Sequence, residues 1–163
     1  MKKDTDINKT KTITINRKTF HDFHILRTYE AGISLLGTEV KSIKAGNINL
    51  RDGFVFIKNG EAFLRNVHIS QYSYGNRINH DPLRERKLLL HKDEIMKLSS
   101  RVKEKGFTLI PLKVYIKKGI IKLEIGLARG KASYQKKEAI RKKDEIRELR
   151  KSFKTSTLSG KLK

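Results

Sequence analysis

Cysteine is absent from the 163 residues, which excludes disulfides and thiolate metal sites and suits a reducing compartment. No apolar run approaches the roughly 20 residues that a membrane helix needs. The opening MKKDTDINKTKT is polar and lacks the apolar stretch of a secretory signal. Acidic groups are also scarce, with 17 Asp and Glu against 38 Lys and Arg and a net charge of +21. That imbalance is the footprint of a polyanion binder, nucleic acid in the first place. Anionic lipid fits less well, because no strongly amphipathic basic helix with bulky apolar anchors is present.

What is present is enough for one modest core, since 37% of residues are hydrophobic. Residues 1–18 alternate Lys, Thr, Asn and Asp and read as a flexible N-terminal arm. Even spacing of Phe23, Ile25 and Leu35 predicts a strand within 20–36, broken at Ala31-Gly32. A short helix is expected over 38–45, with Gly46 just past its end. Residues 52–57 and 61–69 read as strands joined by the hairpin signal Lys58-Asn59-Gly60. Polar residues 72–86, holding Pro82, read as a long mobile loop. The clearest helix covers 91–105, where Ile95, Leu98 and Val102 recur at helical spacing, Asp93 and Glu94 occupy the first turn and Gly106 closes it.

Residues 108–117 alternate with period two, placing Ile110, Leu112, Val114 and Ile116 on one face and Lys113, Tyr115 and Lys117 on the other. After the turn at Lys118-Gly119, Ile121, Leu123, Ile125 and Leu127 form a last strand with Lys122 outward. Five to six short strands with two or three flanking helices and no strict β-α alternation predict a mainly β fold. The expected architecture is a small antiparallel OB-like barrel over 19–130. The basic tail, 131–163, has too few apolar residues (Ala139, Ile140, Ile146, Leu149) to bury. Glu138 and Lys142 form a favourable i,i+4 pair there, so the tail is expected disordered when free and helical when bound. From Arg129 to the end, thirteen basic residues face four acidic ones.

The last hairpin sets Lys113, Tyr115, Lys117 and Lys122 on exposed faces. Cations beside a ring suit RNA phosphates and base stacking, and a solvated strand face is the plain alternative. Gly126-Leu127-Ala128-Arg129-Gly130-Lys131 fails the GxxxxGK[ST] spacing, because Ala132 follows Lys131. Its glycines instead let the backbone leave the barrel or approach a partner. His21 and His24, three apart on one strand, point to opposite faces, and His68, His80 and His91 show no ligand spacing, so no metal and no cofactor are expected. His91 stands where a helix begins. Glu30 and Glu39 could serve acid/base chemistry, pair with neighbouring cations, or accept a hydrogen bond from a base edge, and the last is preferred. No nucleophile–base–orienter set emerges, so an enzyme is not expected.

Four ordered segments go beyond composition: Tyr29-Glu30-Ala31-Gly32-Ile33, Gly37-Thr38-Glu39-Val40-Lys41-Ser42, Arg86-Lys87-Leu88-Leu89-Leu90 and Gly126-Leu127-Ala128-Arg129-Gly130-Lys131. Together they closely resemble the SmpB family, the SsrA-binding (tmRNA-binding) proteins of bacterial ribosome rescue, over residues 16–150. The resemblance implies a non-enzymatic, cytoplasmic, monomeric RNA-binding protein with an OB-like barrel and no membrane association. It implies binding to the tRNA-like domain of tmRNA (SsrA RNA). It further implies delivery of alanyl-tmRNA, with elongation factor Tu and GTP, to stalled ribosomes in trans-translation. The tail would probe the small-subunit decoding centre and the empty mRNA channel, leading to tagging of the nascent chain.

Carried over position by position, tmRNA contacts fall on Asn16, Phe23 (usually Tyr in the family), Glu30, Leu89, His91 (often Asn) and Lys122. Lys113, Tyr115 and Arg129 join them from the reading of the hairpin and its exit, and Gly130 and Lys131 mark the junction with the tail. Ribosome contacts are expected from Tyr134, Gln135, Lys136, Lys137, Arg141, Lys142, Lys143, Arg147 and Arg150. Gln135-Lys136-Lys137 stands where the family typically has Asp-Lys-Arg. Lys keeps the charge of Arg but loses its planar fork.

Overall fold

A computed structural model of the chain describes residues 10–75 and 78–159. It divides after Gly130 into two compact units. In the first, β1 (Lys11–Ile15), α1 (Arg17–Asp22), β2 (Phe23–Ile33) and α2 (Gly37–Lys44) are followed by β3 (Ile48–Asn49), β4 (Phe54–Lys58), β5 (Glu61–Arg65) and β6 (His68–Ile69). Then come β7 (Arg86–Leu89), α3 (Lys92–Lys103), β8 (Phe107–Lys117) and β9 (Ile120–Gly130). The antiparallel sheet runs β1-β8-β4-β5-β7-β2-β9, and β8 also pairs with β9, which closes the ring into a barrel with β1 appended to β8. β3 and β6 form a separate two-stranded ladder. The expected OB-like, mainly β fold is what the chain adopts.

The hairpin turns behave as their residues dictate. Asn59 and Gly60 (φ 52° and 72°), like Lys118 and Gly119 (φ 51° and 78°), are left-handed in succession, the turn that matches strand twist. The barrel interior is one apolar cluster that includes Ala31, Val55, Leu64, Leu88, Leu98, Leu109, Val114, Leu123 and Ile125. A second, smaller cluster joins Ile110, Leu112 and Ala128 to Phe23 and Ile25.

Several expectations are corrected. Residues 10–18 are not a loose arm: β1 pairs with β8, opposing Lys11 to Ile116, and α1 begins at Arg17, while residues 1–9 lie outside the description. His21 therefore sits in α1 and only His24 on a strand. β2 runs unbroken through Ala31-Gly32, and its irregularity is a bulge at Leu26, between the paired Ile25 and Arg27.

A second bulge, at Leu112, flips the phase of β8, so Leu109 and Val114 share the main core while Ile110 and Leu112 turn to the small cluster. The period-two reading of 108–117 missed this, because an inserted residue reverses alternation without changing composition. Within 72–86 the chain is pinned by buried polar groups. His80 bonds Thr38 Oγ1 (2.9 Å) and the Ile69 carbonyl (3.0 Å), and Arg86 opens β7.

Glu39 is fully buried and serves no base edge. It accepts from the Leu36 N–H (2.8 Å), Arg84 Nη2 (2.6 Å) and Arg86 Nε (2.8 Å). Arg86, equally buried, donates onward to the carbonyls of Val67 (2.7 Å) and Pro82 (3.0 Å). Burial works to raise the Glu39 pKa, but the bonds from Arg84, Leu36 and Arg86 outweigh it and hold the carboxyl below its ordinary value.

Candidate nucleic-acid interface

Directly opposed residues on antiparallel strands share a face. The register therefore sets Leu89 (β7), Gly32 (β2), Lys122 (β9), Tyr115 (β8) and Thr12 (β1) in one row across five strands. Two residues along lies a second row on the same face, Glu30, Glu124 and Lys113. The alternate residues Tyr29, Ala31, Leu123 and Val114 point into the main core, so these rows are the outer face of the barrel. Continuing along β2 and β9, the same face carries Ile25 opposite Ala128 and Phe23 opposite Gly130. Phe23, Glu30, Leu89, Lys113, Tyr115, Lys122 and Gly130, scattered over more than a hundred residues of sequence, are thus brought to one side of one sheet.

The centre of this face is a charge cluster. Glu30 accepts from the Tyr115 hydroxyl at 2.5 Å and from Lys117 Nζ at 3.0 Å, and Lys122 Nζ lies 3.9 Å away. Lys113 bridges to Glu124 at 2.8 Å, its Nζ 5.5 Å from the Tyr115 ring centre. The Tyr115 bond, then the Lys117 bond, hold the Glu30 carboxyl below its ordinary value, so it stays ionised at neutral pH. Burial and the Glu30 carboxylate push the Tyr115 phenol up, keeping its proton in place.

Tyr115 is not the open ring expected from the sequence. It is 6% exposed and serves as a buried post orienting Glu30 rather than as a stacking platform. Gly32 leaves a notch beside this cluster, since a Cβ there would stand 3.2 Å from Leu89 Cβ. Leu89 itself is 57% exposed. The face thus offers lysines for phosphates, an oriented carboxylate for an amino or 2′-hydroxyl donor, and an apolar contact.

At the other end, Phe23 packs on the small cluster, partly buried. Asn16 is 4% exposed, with Nδ2 donating to the carbonyls of Leu50 (2.8 Å) and Pro111 (3.2 Å), so it fixes the entry to α1 from inside the fold. Gly126 is a packing requirement and no exit point, because a Cβ would meet Leu112 Cδ1 at 3.0 Å and Ile25 Cγ2 at 3.2 Å. Gly130 has open space around it. Arg129, opposite His24, projects from the other face of β9. Lys131 opens the second unit. His91 is the N-cap of α3, exposed, its N–H bonded to Glu94 Oε2 at 3.1 Å.

The second unit is a helix, α4 (Ser133–Ser159), where the sequence led us to expect helix only in a bound state. Ion pairs support it: Lys142–Glu138 (3.3 Å), the pair expected from spacing, Arg141–Glu145 (3.2 Å) and Lys151–Glu148 (3.4 Å). Ile140, Ile146 and Leu149 stay about half exposed. Tyr134, Gln135 and Lys136 fall on α4, and their side chains lie outside those described. Lys137, Lys143, Arg147 and Arg150 are exposed.

Sequence reasoning overlooked Gly32 and Glu124 as parts of the face. The even offset of Gly32 from Glu30 was the available signal for the first, and only the β8–β9 register reveals the second. Among the described residues no group of three or more His, Asp or Glu could hold a metal, and no helix is long and apolar enough to cross a membrane.

The family model described as "SmpB protein" matches residues 13–155. The SsrA-binding protein of Ligilactobacillus salivarius is 57% identical over 146 residues, 90% of this chain and 94% of that one. That of Carboxydothermus hydrogenoformans is 57% identical over 143 residues, 88% and 96% of the two chains. A chain of the solved structure described as "tmRNA-SmpB: a journey to the center of the bacterial ribosome" superposes with a TM-score of 0.64 at 48% identity. It covers 78% of this chain and 94% of its own.

Proposed function

Because the chain belongs to the SmpB family, we propose that it binds the tRNA-like domain of tmRNA and brings alanyl-tmRNA to stalled ribosomes in trans-translation. The observation that carries this reading is the single outer face on which Phe23, Glu30, Leu89 and Lys122 converge around Gly32. Such a face reads a folded RNA by shape and 2′-hydroxyls rather than by sequence. The protein acts in the cytoplasm as a monomer, with elongation factor Tu and GTP joining through the tmRNA. The basic tail enters the vacant mRNA channel beyond the decoding centre. Ordering the tail costs conformational entropy, and an mRNA-filled channel denies it the contacts that offset that cost, which separates stalled from translating ribosomes without chemistry.

The test is a competition gel shift at fixed physiological salt. Labelled tRNA-like domain is challenged with unlabelled tmRNA and, separately, with bulk tRNA. Strong preference for tmRNA is expected, and equal competition would reduce the protein to a general basic RNA-binding module. Lys122→Ala should weaken binding and lower the log–log salt slope by about 0.7 to 0.9, one phosphate contact. An unchanged slope would mean that Lys122 meets no phosphate.

A further inference from the structure

The charges of α4 are segregated around the helix. At about 100° per residue, the four carboxylates Glu138, Asp144, Glu145 and Glu148 fall within an arc of about 120°. Arg141, Lys142 and Lys151 are each held by one of them. Lys143, Arg147 and Arg150 have no carboxylate partner among the described residues. At offsets of four and three they fall within about 60° of arc, centred roughly 150° from the centre of the acidic arc. Along the axis this stripe places a cation about every 5 Å. The sequence continues the same spacing with Lys136 on one side and Lys154 on the other.

From this we infer that α4 engages RNA through one face only, with Lys143, Arg147 and Arg150 on the phosphates and the carboxylate arc turned away. The inference rests on the proposed tail–ribosome contact and deepens it by naming which residues make it. A phosphate chain laid on the stripe meets unpaired cations. Laid on the opposite face it meets four carboxylates, cations already engaged and, among the described residues, Lys137 as one unengaged cation, so its approach is opposed by like charge. Electrostatics therefore sets the rotation of the helix about its axis, which total charge alone would leave free. The arrangement also divides labour: the paired cations stabilise the helix and the three of the stripe bind.

Two full-length variants, each losing three positive charges, test this. One is Lys143→Gln/Arg147→Gln/Arg150→Gln, the other Arg141→Gln/Lys142→Gln/Lys151→Gln. Binding of each, in complex with tmRNA, to ribosomes stalled on mRNA lacking a stop codon is followed against salt, alongside tagging rate and helicity by circular dichroism. The stripe variant is expected to lose about 2 to 3 in log–log slope and to tag slowly at unchanged helicity, and the paired-cation variant to lose less than about one. Equal losses would show that charge count alone matters, and a larger loss in the paired-cation variant would assign the effect to helix stability. Either result overturns the one-face assignment. A chain ended at Gly130 separates the two levels. If it tags as well as the intact protein, the tail reading itself fails; if it loses tagging while the two variants behave alike, only the choice of face fails.

Discussion

Glu39→Ala is expected to lower the unfolding free energy by about 3–5 kcal/mol, because it leaves the fully buried Arg86 guanidinium without its counter-charge. A guanidinium cannot escape by deprotonating, so the whole penalty falls on the folded state. The loss is a large share of the roughly 5–15 kcal/mol that holds a domain of this size together. Urea denaturation should show a midpoint about 1–3 M lower with an unchanged slope. The damage also spreads, since the same carboxylate ties the N-terminus of α2 to Arg84 and to the start of β7. A midpoint within about 0.3 M of the intact chain would show the network to be replaceable by water.

The pH dependence has a definite sign. The folded Glu39 pKa lies below its ordinary 4.5, so its contribution is fully present above pH 4.5 and is lost as pH falls through the lower, folded value. Glu39→Gln should remove this part of the acid unfolding limb.

Leu98→Ala should cost about 2–5 kcal/mol, the price of a cavity beneath a helix with no other fully buried side chain. α3 contributes Leu98, and in part Val102, to the barrel interior, and Met96 is largely exposed. Loosening α3 also frees its N-cap, His91, so on the proposed tmRNA contact at that residue affinity for the tRNA-like domain should fall along with the urea midpoint. Leu98→Met, which conserves volume, should stay within about 1.5 kcal/mol and keep RNA binding. If Leu98→Ala cost under about 1 kcal/mol, the anchoring of α3 would have to be sought on its exposed side.

Local chemistry made the hairpins, α2 and α3 readable: Asn59-Gly60 and Lys118-Gly119 admit few other turns, and Leu98 and Val102 keep their period. What stayed hidden was non-local. The bulges at Leu26 and Leu112 belong to the strand pairing, which no window of sequence contains. Glu39 looked like a surface carboxylate because its partners, Arg84 and Arg86, are 45 and 47 positions away. Tyr115 alternated with lysines and so read as exposed, yet Glu30, 85 residues distant, takes its hydroxyl. Phe23, Glu30, Leu89 and Lys122 were named one by one through family resemblance, and that they share one outer face appears only in the register of β7, β2, β9 and β8.

The small cluster of Ile110, Leu112 and Ala128 beneath Phe23 and Ile25 is separate from the main core. A satellite of so few side chains resists opening less than the barrel does, so α1 and the Phe23 end of β2 are expected to open ahead of the strands beneath them. Their amides should exchange with solvent by local opening, faster than those of β8 and β9. RNA packed against Phe23 would close that gap and spread rigidity from the ligand into the first turns of the chain.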